Sequence, residues 1–391
     1  MKFNDQSTAR GTIVLIAMVH WHYTWQSQHN MASGLADQGY RVLFVEPIPK
    51  RWPRLSEFGR VWGRLTGNSR AAGFFTQPLV PGVDIKSPRM LPDAGPLTRR
   101  LNRRLFVPGV AAQLKSESTS PLIVINYLPT AASLALMEAL EPDVKIYHCV
   151  NDWEHDPYAP ARETEADLIA AVDMVWADSP VNFARTSRMG DNVVRLPHGV
   201  DIDLFTHAGK APDVPPDRPL CAYFGTIGIS TDIDLLRAVS HRFPLRLIGP
   251  VRTSLEEFAE STEMIGPVPH QQIPELLRDV DVLLLPYLHS PHNDSVMPAK
   301  LFECLATGKP TIACGLKTLY QYADLFYIRE TPDEYLSAIA ESVHEPVERR
   351  EPRIACAEKH SYARRILKIE SYIEQLLANK QAGVVPSELI H

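Results

Sequence analysis

Lys300 and Glu303 are the two residues whose types and spacing point most directly to chemistry. They lie in the stretch from Asp281 to Pro310, where an apolar run ends at Pro286 and a ten-residue polar loop follows. Pro298 suits the first turn of a helix and Gly308 suits its end. Three apart, the lysine and the glutamate share one face of that helix and fall in its opening turns. A helix N-terminus already favours an anion, and a lysine added there makes a seat for phosphate. A carboxylate one turn further can accept hydrogen bonds from two vicinal hydroxyls, as in a ribose. Phosphate followed by ribose describes a nucleotide. The same pair on an exposed face would serve equally as an ordinary solvated helix pair.

Other candidates follow the ends of apolar runs. Tyr147-His-Cys-Val-Asn-Asp-Trp153 places Asp152 where a base could take a hydroxyl proton, or where it could cap the next helix. His198, in Pro197-His-Gly-Val-Asp201, is either a site residue or a structural histidine. His20-Trp21-His22 could touch an acceptor or a phosphate; as zinc ligands the two histidines lack a third partner nearby. His289, Ser290, His292 and Asp294 form a polar loop better suited to a sugar than to a metal. The turn Gly225-Thr-Ile-Gly228 can bring backbone N–H groups near phosphates, because glycine permits close approach. Lys300 and its helix terminus can neutralise a diphosphate, so neither a metal nor another cofactor is expected.

The elements that must position these residues alternate. Thr12 to Val19 is a continuous β-branched apolar run of the kind buried on both faces in a parallel sheet. A helix over Gln28 to Gln38, a stop at Gly39 and a strand over Arg41–Val45 complete a βαβ unit. Further strands are expected at 122–126, 144–150, 174–177 and 193–196. The proline-rich stretch 206–219 reads as a linker. A second series begins after it, with strands at 221–224, 245–248, 281–285 and 311–314 and helices starting near Thr231, Ser254, Gln271 and Pro298. The expected architecture is α/β: a first Rossmann-like domain over 1–205, the linker, a second over 220–360, and a C-terminal helix from 361 returning to the first domain. Open parallel sheets bind ligands beyond the carboxyl ends of their strands, so two facing sheets would enclose a cleft.

With Ala306-Thr-Gly-Lys-Pro310 and the strand after it, the Lys300 stretch resembles the donor-site signature of B-type glycosyltransferases, in particular the family 4, or group 1, clan. Pro197-His-Gly-Val-Asp201, Tyr223-Phe-Gly-Thr-Ile-Gly228, Ile248-Gly-Pro250 and Ile265-Gly-Pro-Val-Pro269 extend the resemblance over most of the chain. It implies the GT-B fold, a nucleotide-sugar donor on the second domain and the acceptor on the first. Carried over, Gly225, Thr226, Gly228, Arg252, Val268, Lys300 and Glu303 would hold the nucleotide. Asp294, Ser295, Val296 and Met297 would hold the sugar. Asp152 and His198 would be catalytic, and His20, Trp21 and His22 would meet the acceptor. The chain departs from the clan in two places. Ser295 stands where the first of two glutamates is common, a hallmark of retaining members. The Arg and Lys common after the second domain's first strand are absent from Gly225 to Asp232, which leaves more diphosphate charge to Lys300 and Arg252. The Pro-x-Lys-Leu-Phe-Glu helix resembles bacterial envelope-polysaccharide transferases, some of which move uronic acids.

Composition bounds the rest. The 391 residues, 45% hydrophobic and 22% charged, exclude a miniprotein and a disordered chain. Five cysteines without a CxxC pair indicate neither a disulfide framework nor a zinc module. No apolar run approaches the ~18 residues needed to span a bilayer, and the first run lacks a cleavage site behind it, so a cytoplasmic location is expected. Residues 1–120 carry 16 Lys+Arg against 7 Asp+Glu, a balance of +9, leaving 24 against 39, or −15, for the remainder. The clusters Lys50-Arg-Trp-Pro-Arg54 with Phe58, Arg60, Trp62 and Arg64, and Arg99 to Phe106, interleave cations with apolar groups. They suit the inner face of a membrane or a polyprenyl-diphosphate acceptor, or form a solvated basic face. Nucleic acid is disfavoured by the acidic remainder. The competing readings are a dinucleotide oxidoreductase, for which neither first strand is followed by Gly-x-Gly-x-x-Gly, and a noncatalytic sugar-binding protein of the same fold.

Overall fold

The computed structural model describes residues 9–48, 77–155, 162–209 and 216–382. The basic cluster of residues 50–64 and part of the expected linker lie outside them. Two compact units result: Met1–Leu196 with Arg365–His391, and Pro197–Arg364.

The first unit is built on seven parallel strands: β1 (Thr12–Ile16), β2 (Arg41–Val45), β3 (Val83–Lys86), β4 (Leu122–Asn126), β5 (Val144–Cys149), β6 (Met174–Ala177) and β7 (Val193–Arg195), in the order β3-β2-β1-β4-β5-β6-β7. The continuous apolar reading of β1 has a direct cause, since both its faces are covered. Ile13 and Leu15 face a layer containing Met31, Leu35 and the C-terminal Ile366, Ile369 and Ile373. Val14 and Ile16 face Leu114, Leu136 and Met137. The helix Tyr362–Ala382 therefore supplies core to the unit made mostly by the chain's beginning.

The second unit repeats the plan with six parallel strands: β8 (Cys221–Phe224), β9 (Leu245–Ile248), β10 (Glu263–Gly266), β11 (Val282–Pro286), β12 (Thr311–Cys314) and β13 (Tyr327–Ile328), in the order β10-β9-β8-β11-β12-β13. In each sheet the strand order reverses once, between β1 and β4 and between β8 and β11. Ligands bind at such switch points, beyond the strands' carboxyl ends.

Several expectations change. The division falls at 196/197, ahead of the proline-rich stretch, because Val200, Phe205 and Ala208 pack into the core of the second unit. No helix starts at Ser254: turns at 256–257 and 260–261 stand there instead, and Glu257 takes a φ of 64°. The loop after β11 contains a short helix, Pro291–Ser295. The strands β3, β10 and β13 lacked a sequence signal, being short and, in β10, having the first two residues exposed.

The helix Lys300–Thr307, closed by Gly308 at φ 70°, is held from behind by the helix Arg350–Lys359. Its buried Arg353 donates to Gly308 O at 3.1 Å, Leu325 O at 2.9 Å and Glu345 Oε2 at 2.7 Å. Removing one partner of a buried ion pair costs about 3–5 kcal/mol. Arg353→Met should therefore destabilise the second unit by roughly that amount, read from urea titration by far-UV circular dichroism; a midpoint within experimental error of wild type would contradict this role.

Candidate nucleotide site and the residues around it

At the second sheet's switch point, Gly225 follows β8 at φ +125°, and a Cβ there would lie 2.3 Å from Lys300 Nζ. The glycine leaves the space the ammonium occupies. Lys300 Nζ sits 4.0 Å from the centroid of the Tyr223 ring and 5.7 Å from that of Tyr287, a cation–π cradle instead of the exposed face expected from sequence. Burial works against its charge, but the phenol oxygens of Tyr223 and Tyr287 outweigh it, and the lysine pKa is raised. Burial in turn pushes the Tyr287 phenol up to about 12. Among the described residues no carboxylate pairs with Lys300.

Glu303, one turn on, is engaged differently. His270, which follows Pro269 in the loop after β10, meets Glu303 Oε1 through Nε2 at 2.7 Å, and both side chains are mostly covered. Burial works against a charged His270, and the Glu303 carboxylate outweighs it, so the imidazole's pKa is raised above 6.5. Sequence reasoning missed His270; its only signal was its place directly after the quoted Val268-Pro269. It also missed the Tyr223–Tyr287 cradle, although Tyr223 lies in a quoted motif.

Three of the four amides of the Gly225–Gly228 turn are spent internally, and among the described residues only Thr226 N keeps the expected availability. Gly225 N donates to Ile248 O at 2.8 Å, Ile227 N to Pro250 O at 3.0 Å and Gly228 N to Thr231 Oγ1 at 3.4 Å. What the turn does is dock onto the next loop, bringing exposed Arg252 against Gly228, beside exposed Thr226. Val268 packs partly into the core.

The proposed sugar loop divides. Ser295 is buried and donates to His292 O, while Met297 is a core residue, 3% exposed, so neither side chain can reach a ligand. Asp294 is paired with Lys317 at 2.6 Å, and Val296 offers only partial exposure. Asn293 anchors the loop through Ser230 O and Leu288 O. Asp-x-Asp pairs do occur, at 201/203, 232/234 and 279/281, but at least one member of each is committed: Asp201 and Asp232 cap helices, Asp279 pairs with Arg246 and Asp281 accepts from Leu220 N.

In the first unit, Trp21 is wholly buried against Phe44, Trp25 and His29, which rules out acceptor contact by its side chain. His29 beside it has its pKa lowered to about 4 by burial. His20 leans on Glu46 at 3.4 Å, and His22 is half-buried. Asp152 is only 3% exposed and does not cap a helix. Its Oδ1 accepts from Glu154 N at 3.0 Å and lies 3.5 Å from Arg185 Nε; its Oδ2 meets His155 Nδ1 at 2.7 Å. Arg185 is clamped by buried Glu165. Asp152 is thus covered, with each oxygen already engaged, while Glu154 and His155 of its group are exposed. Asp152, Glu154 and His155 could converge on a cation, but the Arg185 guanidinium opposes one. His198, 6% exposed, is a packed residue and not an open acid or base.

Residues 233–371 match the family model described as Glycosyl transferase-like. A Bacillus subtilis protein assigned to teichuronic acid biosynthesis, TuaH, is 29% identical over 32% of this chain and 35% of its own length. A Salmonella typhimurium protein assigned as a colanic acid biosynthesis glycosyltransferase, WcaL, is 26% identical over 54% of this chain and 57% of its own. The chain therefore spans about a third and just over half of these two relatives. Among solved structures, Anabaena HepE in complex with UDP and glucose aligns with a TM-score of 0.66 at 11% identity, covering 93% of this chain and 100% of that one. Sucrose-phosphate synthase of Thermosynechococcus elongatus aligns at 0.64 and 14% identity, covering 94% and 100%. The fold is that of the B-type glycosyltransferases, and the resemblance read from the sequence is borne out.

The His270 shift has a consequence for stability. A histidine whose folded pKa is raised contributes stability that is complete below its unfolded value, near 6.5, and is lost as pH rises through the folded value. Wild type should exceed Glu303→Gln in melting temperature most at pH 6, with the gap shrinking by pH 9. A gap independent of pH would show that the pair is not charged.

Proposed function

We propose that this chain, with its B-type fold and its Glycosyl transferase-like segment, is a glycosyltransferase moving a sugar from a UDP- or GDP-linked donor to a lipid-linked or saccharide acceptor in cell-envelope polysaccharide synthesis. The observation that carries this is Lys300: a cation without a carboxylate partner among the described residues, fixed at the sheet's switch point, one turn from a carboxylate. In this reading Lys300 faces the donor diphosphate, Arg252 adds charge from the neighbouring loop, and Glu303 accepts from the ribose. Binding to HepE makes UDP a natural first donor nucleotide to test, and the envelope-polysaccharide relatives support the acceptor class. An oxidoreductase is not favoured, since the segment after β8 lacks the dinucleotide turn and the similar proteins named are glycosyltransferases.

In the transfer, the acceptor oxygen attacks the anomeric carbon, the bond to the diphosphate breaks, and the diphosphate leaves with the bonding electrons. Preorganised positive charge at the leaving oxygens stabilises that step. Lys300 provides it without a metal ion in this proposal. On the acceptor side Asp152 acts through His155, holding Nδ1 so that Nε2 is the atom available to a proton.

Lys300→Ala and Glu303→Ala should each weaken UDP or GDP binding by about 1.5–3 kcal/mol, the worth of one charge-assisted hydrogen bond. Calorimetry of wild type in EDTA should give the same affinity as in Mg²⁺. Unchanged affinity in both variants would remove the donor site, and loss of binding in EDTA would remove the metal-free leaving-group role.

Association with an anionic membrane face belongs to the same proposal. The helical segment Pro96–Ser116 exposes Leu97 and Leu105 beside exposed Arg100, Arg103 and Arg104, a cationic surface with apolar points. No helix of the described residues is long and apolar enough to cross a membrane. Each cation near such a surface adds roughly 1 kcal/mol. Reversing Arg100, Arg103 and Arg104 to glutamate should abolish co-sedimentation with phosphatidylserine vesicles at low salt while leaving nucleotide affinity intact. Equal sedimentation of wild type with anionic and neutral vesicles would defeat the membrane reading.

A further inference from the structure

We infer that His270 is the positioning residue that makes Glu303 selective for a ribose over a deoxyribose, by holding one carboxylate oxygen so that the other is presented to a sugar hydroxyl. The inference rests on the reading of Glu303 as the ribose acceptor and adds to it a residue, a tautomer and a discrimination.

A glutamate has three side-chain torsions, and a carboxylate left free at a helix surface samples several of them, so that ordering it would be charged against ligand binding. Here the ordering is already done. Nε2 of His270 lies 2.7 Å from Oε1, and among the described residues Oε2 takes no bond. With the carboxylate ionised, the nitrogen facing Oε1 must carry its hydrogen, so the neutral ring would be the Nε2–H tautomer and the charged ring donates from the same atom.

His270 is itself fixed. Its ring packs on that of Phe205 with centroids 5.4 Å apart, and its backbone begins a 3₁₀ turn in which Gln272 N donates to Pro269 O at 2.9 Å. Phe205 belongs to the same core as Leu301 and Leu305 of the Lys300–Thr307 helix. The imidazole and the glutamate it holds are therefore referenced to one packed body. Oε1 retains a second lone pair, so a ribose can use both oxygens, whereas a deoxyribose leaves a largely covered carboxylate oxygen without a donor. Sites built around a buried polar group discriminate against the analogue lacking its partner more sharply than apolar pockets do.

The test compares wild type, His270→Asn, His270→Gln and Glu303→Ala by calorimetry against UDP, GDP and their 2′-deoxy and 3′-deoxy counterparts. The two amides separate reach from polarity: glutamine places an N–H near the position of Nε2, while asparagine ends too short for Oε1. Wild type should prefer the ribonucleotide by about tenfold or more over the counterpart lacking the hydroxyl that Glu303 holds. His270→Gln should keep most of that preference. His270→Asn should reduce it to within about threefold, as should Glu303→Ala. A merely structural histidine would lower the affinities for ribo and deoxy forms together and leave their ratio alone. Full preference retained in His270→Asn but lost in Glu303→Ala would overturn the inference and leave the donor site standing. Preference retained in Glu303→Ala, or no nucleotide bound by wild type, would overturn the ribose reading and this inference with it.

Discussion

The second unit depends on one constraint, a lysine ammonium kept charged and without a carboxylate partner at the end of a parallel sheet. A bare cation in a largely covered place is expensive, and the structure offsets that cost with aromatic faces and phenol oxygens instead of an anion. Gly225 is required because any side chain there would occupy the space of Nζ. Gly249 is required in turn, since a Cβ on it would lie 2.1 Å from Gly225 O. Two glycines, two tyrosines and one helix terminus are thereby tied to a single charge, an arrangement that suits the anion site proposed for it.

The neighbouring Glu303 shows why that cation stays unspent. Three residues along the same helix, it could have closed an ordinary helical ion pair with Lys300. His270 takes it instead, drawing the carboxylate toward the loop after β10. The carboxylate is given another partner, which in the proposed donor site would let each charge meet a different part of one ligand.

Much of this was legible in the sequence. Apolar runs located ten of the thirteen strands among the described residues, and Gly308 ended its helix where a glycine C-cap should. The Lys300–Glu303 pair was legible because helix spacing is regular. Environment was not. Nothing local says that Lys300 lies over Tyr223, 77 positions earlier, or that Glu303 meets His270, because both contacts arise from parallel crossovers that join distant segments at one sheet end. The same limit explains Trp21, Met297 and Asp152. Each follows a strand, where a ligand contact is reasonable, but residues in that position either point beyond the sheet or fold back into the core, and only packing decides.

Asp152 shows how such a difference changes chemistry. In the first unit the charges near β5 are spent on one another: Glu165 clamps Arg185, Arg185 approaches Asp152, and Asp152 holds His155. Tyr147 and Trp153 extend the network, with Trp153 Nε1 donating to Tyr147 Oη at 2.9 Å and Tyr147 Oη to Glu165 Oε1 at 2.8 Å. A carboxylate inside such a network, 3% exposed and with both oxygens already engaged, offers an acceptor hydroxyl little access. It is a good orienting group for the one exposed imidazole that it holds. On the proposed reading the two units use one sheet plan in opposite ways, the second keeping a cation without a carboxylate partner for an anionic ligand and the first consuming its charges to fix a single imidazole.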